Sequence, residues 1–146
     1  MNSLFATKYV SMAGTKIVNG VSRFILGLIY IYFGLDFFFH FTHSGPPDTT
    51  TKAGIFLNAL FSSGYFFVVL KSLEIIYGLL LWANWFVPLV LILLYPISIN
   101  ILLFNSFLAH STQPLVISII IISLNTYLAC TCRDVYAPLF KRRPVQ

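Results

Sequence analysis

Between Phe24 and Cys132 the chain carries only five charged side chains, Asp36, Asp48, Lys52, Lys71 and Glu74. This scarcity constrains the fold more than any motif does. A soluble domain coats itself with about 25% charged residues; here the share is 9%, against 58% hydrophobic and 17% aromatic over 146 residues. The mean hydropathy of +0.87 agrees. Such a composition cannot cover a water-facing surface, which argues against a soluble enzyme, and its aliphatic and aromatic load argues against disorder. A spanning helix needs about 20 apolar residues, so the chain length fits four spans with short loops and no soluble domain.

The apolar runs predict an all-α bundle of four transmembrane helices over about 24–42, 65–82, 86–108 and 115–132. Residues 1–140 then form one membrane domain and 141–146 a basic tail. No cleavage site follows the first run, which reads as an uncleaved first helix, not a signal peptide. Gly45, Pro46 and Pro47 mark a loop. After it, Lys52 to Ser62 places Ala53, Phe56, Leu57 and Leu60 on one stripe. Too short to span, it suits a helix lying in the interface within the first outer loop. Ala83–Asn84–Trp85 reads as a tight turn flanked by tryptophans at interface level. Pro88 falls in the first turn of the third span, where its missing N–H costs little, whereas Pro96 should kink it. His110 to Pro114 reads as a turn.

Net charge is +5, but seven of the nine basic residues lie near the chain ends: Lys8, Lys16 and Arg23, then Arg133, Lys141, Arg142 and Arg143. That placement is a topology signal, not a nucleic-acid surface. Four spans put both termini on one side, and the basic ends make that side the cytoplasm.

Ionisable groups within a span cost about 2.5–3.5 kcal/mol each on insertion scales, so they are the informative positions. Lys71 and Glu74 are three apart and share a helical face near the middle of the second span. Asp36 lies in the outer half of the first span, with His40 one turn further out; Asn100 and Asn105 lie in the third. At about 1.5 Å per residue, Asp36 and Asn100 fall roughly 5 Å outward of the midplane, with His40 and Asn105 nearer the outer interface. Asp36, Lys71, Glu74, Asn100, Asn105 and His40 together compose a small buried polar pocket, open if anywhere to the outer face. Unless Lys71 reaches Asp36, desolvation should keep that carboxyl protonated near neutrality. A purely structural account stands beside this: Lys71 and Glu74 neutralise each other, the asparagines bond helix to helix, and His40 lies at headgroup level.

No metal-ligand spacing links His40, His43 and His110, and no phosphate loop, H-E-x-x-H or G-x-S-x-G motif is present. Cys130 and Cys132 are spaced C-x-C and point about 200° apart on a helix, so packing, or palmitoylation at the membrane edge, fits them better than a dithiol. Tyr30, Tyr32, Phe33 and Phe37–Phe39 form an aromatic band that suits packing or a quinone ring.

The run SRFILGLIYIYFGLDFFFHF, then PP and a short apolar segment, then SSGYFFVVLKSLEIIYGLLLWANWFVPLVLILLYPISINILLFNSFL, resembles the DoxX family, as does the ending TYLACTCRDVYAPLF. The order of pieces carries the resemblance: Gly34, Gly64–Tyr65, Lys71-x-x-Glu74, Phe86–Leu89 and Pro96–Phe104. It covers roughly Ser22 to Phe140. Two positions depart from it: similar sequences often carry His at Asn105 and Asn at Asp36. The resemblance implies a four-helix bundle in the bacterial inner membrane with both termini inside. It also implies a non-catalytic subunit or accessory of a quinone-linked or thiol redox system, partnered by the bilayer and by a membrane-associated redox enzyme or further copies of itself. No cofactor motif is evident; a quinone is the cofactor this role allows, with Lys71 orienting a carbonyl or anion and Glu74 or Asp36 moving a proton. Intramembrane carboxylates and the Pro96 kink leave two rivals open, a small proton-coupled carrier and a purely structural subunit.

Overall fold

The computed structural model describes residues 2–42 and 48–137, with side chains from residue 15 onward. Its helices are α1 (Asn2–Phe39), α2 (Lys52–Ser62), α3 (Phe66–Ala83), α4 (Val87–Phe104), α5 (Thr112–Thr131) and the short α6 (Arg133–Tyr136). A π-helical turn, Asn105–Ala109, extends α4. Four stretches are long and apolar enough to cross a membrane: Thr15–Phe39, Phe66–Ala83, Val87–Ala109 and Thr112–Thr131. The protein is an all-α, integral membrane four-helix bundle. His43, Pro46, Pro47 and the tail from Lys141 onward lie outside the described residues.

Local chemistry explains where the boundaries moved. α1 continues unbroken upstream of the expected Phe24, because Lys16, Asn19 and Arg23 interrupt the apolar run without breaking a helix. It stops at Phe39 and not Thr42. His40 adopts a left-handed conformation (φ 54°), and its N–H donates to the Asp36 carbonyl at 2.7 Å. α5 starts at Thr112, so Pro114 belongs to its first turn, where proline is tolerated, and not to the preceding loop. α2 has the expected bounds; Thr51 caps it, its hydroxyl accepting from the Gly54 N–H at 3.0 Å. Asn84 and Phe86, both at positive φ, make the sharp reversal into α4.

Two tight antiparallel pairs build the bundle, α1 on α3 and α4 on α5. Gly27 and Gly78 meet in the first pair, where a Cβ on Gly78 would lie 2.8 Å from the Gly27 carbonyl oxygen. Their contact permits closer backbone approach than side chains allow. Leu26, Leu81, Leu91, Leu94 and Leu128, at most 3% exposed, form the core. On each spanning helix these leucines lie toward the end that carries the chain termini and the α3–α4 turn. Hydrogen bonds pin that end: Arg23 to Asn84 Oδ1 (2.6 Å), Trp82 Nε1 to the Phe24 carbonyl (3.0 Å), and Tyr127 to Asn19 Oδ1 (2.8 Å). Lys71, Asn100, Asn105 and Ser118 lie in the other half, toward α2.

Candidate functional site

The site is built around Lys71 and Glu74, one helical turn apart on α3. Lys71 Nζ donates to Glu74 Oε2 at 2.8 Å, with 19% of the lysine side chain exposed and 2% of the glutamate's. Lys71 is the carboxylate's one hydrogen-bonding partner among the described residues. Burying an ion this far from water requires a compensating partner, and the i, i+3 spacing supplies one from the same helix.

Two cavities adjoin the pair. The first, about 350 Å³, opens between α2, α3 and α4. Its walls are apolar and largely aromatic (Phe56, Phe66, Phe67 and Phe104), with Lys71, Glu74 and Asn100 as its polar groups. Phe56 and Phe104 bring their rings to 5.9 Å, and Phe37, Phe61 and Phe67 stack on one another at 4.3–6.1 Å beside them. The second cavity, about 160 Å³, lies between α1, α3, α5 and the π-turn. Tyr30, Asn105 and Ser118 join Lys71 and Glu74 on its walls. Lys71, Glu74 and Ile101 line both, so the ion pair forms part of the partition.

The six residues singled out in the sequence therefore divide. Lys71, Glu74, Asn100 and Asn105 surround two adjoining spaces and not one: Asn100 reaches the first and is otherwise exposed, and Asn105 reaches the second and is buried. Asp36 and His40 line neither cavity. The cause is the early end of α1. In its last turn, the Asp36 carboxylate accepts from the Thr42 N–H and hydroxyl, both at 2.8 Å, and so caps its own chain. His40 is exposed in the reversal that follows. The aromatic band divides as well: Phe37 joins the stack, Phe33 lines the second cavity, and Tyr32, Phe38 and Phe39 are exposed.

A second polar cluster escaped the sequence reading. Tyr30, 1% exposed, shares a 2.7 Å hydrogen bond with Ser98, whose hydroxyl also donates to the Leu94 carbonyl at 2.9 Å. Asn125 Nδ2 donates to Ser98 Oγ at 3.0 Å, while Asn125 Oδ1 is buried without a partner. Nearer α2, Asn105 Nδ2 donates to Ser118 Oγ at 2.6 Å, and Ser118 donates to the Pro114 carbonyl at 2.7 Å. An amide in mid-span was a legible signal at Asn125, as it was at Asn100. Serines carry none, because a hydroxyl bonded back along its own helix sits readily in an apolar segment. Cys130 and Cys132 are free thiols at the terminal end of α5, away from both cavities.

No protein-family model, curated protein or solved structure matches the chain.

Proposed function

We propose that the chain is a DoxX-like protein of the bacterial inner membrane, with both termini in the cytoplasm. In this reading it is a non-catalytic subunit or accessory of a quinone-linked redox system. One observation carries the reading: the first cavity is amphiphilic, with aromatic walls and a single ammonium at its base. Its volume lies in the range of small-molecule sites, about 300–1,000 Å³. A quinone ring needs apolar faces around it and a donor for a carbonyl oxygen, and the residues present fit both needs. Phe56 and Phe104 offer the ring an apolar wall, Lys71 donates to a carbonyl, and Glu74 holds the ammonium in place. A bound quinone supplies reversible two-electron, two-proton chemistry; the protein's part is to bind it, orient it and exclude water. A thiol-based role is less well supported, because both cysteines lie at the other end of the bundle. The structural alternative draws on the self-neutralising pair, which needs no ligand to satisfy it.

The test is to purify the protein in mild detergent, extract bound quinone and titrate a short-chain ubiquinone. Quinone should co-purify with the wild type and bind saturably. Leu57→Trp, which fills the cavity from α2 and leaves the ion pair intact, should abolish both. A charged hydrogen bond is worth about 1.5–3 kcal/mol, so Lys71→Met/Glu74→Gln should weaken binding by about tenfold or more. No extractable quinone, together with equal titrations for wild type and Leu57→Trp, would leave the structural reading.

A further inference from the structure

We propose that Glu74 is a proton-binding site reached by water through the second cavity, from the α2 end of the bundle only. The inference concerns the other side of the ion pair and stands whether or not the first cavity holds a ring.

Three observations carry it. The space is ample: about 160 Å³, where one water needs about 15 Å³. Its walls are mostly apolar but carry enough polar side chains to offer a water the two to four hydrogen-bonding partners it requires. Tyr30, Lys71, Glu74, Asn105 and Ser118 make up half of its ten lining residues, and Asn105 and Ser118 stand between Glu74 and the α2 end. Finally, the terminal end is closed. Beyond Glu74, toward the chain termini, the Tyr30–Ser98–Asn125 cluster is itself fully enclosed, and past it the five core leucines are packed to 3% exposure or less, with Ile121 at 2% above them. Apolar packing of that density holds no chain of water.

The partners of Glu74 permit protonation. Of the residues lining either cavity, only Tyr30 on α1 and Lys71 on α3 are titratable besides Glu74 itself. α4, the π-turn and α5 face it with amides, a hydroxyl and apolar groups, and α2 faces it with apolar groups alone. Lys71 is the less enclosed member of the pair, with a fifth of its side chain exposed. The step balances simply. A hydronium in the cavity gives one proton to the Glu74 carboxylate and becomes water; one O–H bond breaks, one forms, and no electron moves.

Two measurements test this, and neither uses a quinone, so failure here is distinct from failure of the quinone reading. In a Cys130→Ala/Cys132→Ala background, Ser118→Cys and Ser98→Cys are exposed to a small charged methanethiosulfonate in right-side-out and inside-out membrane vesicles. Ser118→Cys should react from one side of the membrane only, and Ser98→Cys from neither. Protection of Ser118→Cys from both sides, or labelling of Ser98→Cys, overturns the proposal. In infrared difference spectra between acid and neutral pH, a carboxyl C=O band should vanish in Glu74→Gln and persist in Asp36→Asn. A band unchanged in Glu74→Gln, or lost only in Asp36→Asn, overturns it equally.

Discussion

Removing one partner of the Lys71–Glu74 pair should do unequal damage depending on which partner goes, and the asymmetry follows from burial. The contact is 2.8 Å, but the glutamate is almost wholly enclosed while the lysine retains some contact with the surface. Lys71→Met leaves an enclosed carboxylate with no other protein partner among the described residues, and breaking a buried pair this way costs about 3–5 kcal/mol. Glu74→Gln leaves an amide oxygen where the carboxylate was, to accept from the ammonium of the less enclosed partner, so the loss is about 1–2 kcal/mol. The double variant Lys71→Met/Glu74→Gln removes both ions and should also lose only about 1–2 kcal/mol, because an apolar–neutral pair carries no unpaired charge. The singles then overshoot the double by a coupling of about 2 kcal/mol or more. A reporter is built in. Trp82 stacks on Phe24 at 4.9 Å and bonds its carbonyl, so its fluorescence follows separation of α1 from α3. With Trp85→Phe as background, denaturing-detergent titrations of the four proteins give the cycle. Equal losses for the two singles, or additive behaviour in the double, would refute the claim that the pair is an enclosed unit.

Three further outcomes are expected. Gly78→Ala should destabilise by about 1–3 kcal/mol from overpacking, since its Cβ would meet Ile31 at 2.7 Å and the Gly27 carbonyl oxygen at 2.8 Å. Gly20→Ala, with nothing within 4 Å, should be neutral or stabilising in the same titration; equal behaviour of the two would contradict the close α1–α3 approach. Tyr30→Phe should cost about 1 kcal/mol, one neutral hydrogen bond, because Ser98 keeps its bonds to Leu94 and Asn125; a loss several times larger would show that the hydroxyl does more. Asp48 accepts from the Thr50 N–H and hydroxyl, which hold its carboxyl below the usual aspartate range. A depressed value in the folded chain means a contribution present above the ordinary carboxylate range and lost as pH falls through the lowered one. Hydrogen exchange at Thr50 should therefore differ between wild type and Asp48→Ala at neutral pH and converge in acid. A difference that persists in acid would count against that bond.

The spans were legible because hydrophobic runs of that length have one stable outcome in a bilayer, and α2 was legible because its stripe is too short to cross. Helix ends were harder. Asp36 looked like an interior carboxylate by its place in an apolar run, yet α1 ends three residues later and Thr42 turns back onto it. Nothing in the residues 36–42 marks that reversal with glycine or proline. The π-turn was also silent in the sequence. One extra residue per turn leaves hydrophobic spacing nearly unchanged, although it accompanies the inward placement of Asn105 against Ser118. Lys71 and Glu74 were found for a sounder reason: three residues apart on a helix, opposite charges reach each other whatever the tertiary packing. Their division of the interior into two spaces depends on how α4 and α5 approach, which no local pattern encodes.

The pairing of α1 with α3 and of α4 with α5 has a mechanical consequence. Gly27 against Gly78 welds the first pair backbone to backbone, and Tyr95, Asn105 and Asn125 bridge the second. Across the seam between these halves, among the described residues, Tyr30 bonds Ser98 in the interior and Tyr127 bonds Asn19 at the terminal end. A rocking motion hinged at the Asn19–Tyr127 end would stretch the Tyr30–Ser98 bond while each half moved as a solid body. It would resize the spaces on both flanks of Glu74 in the same stroke.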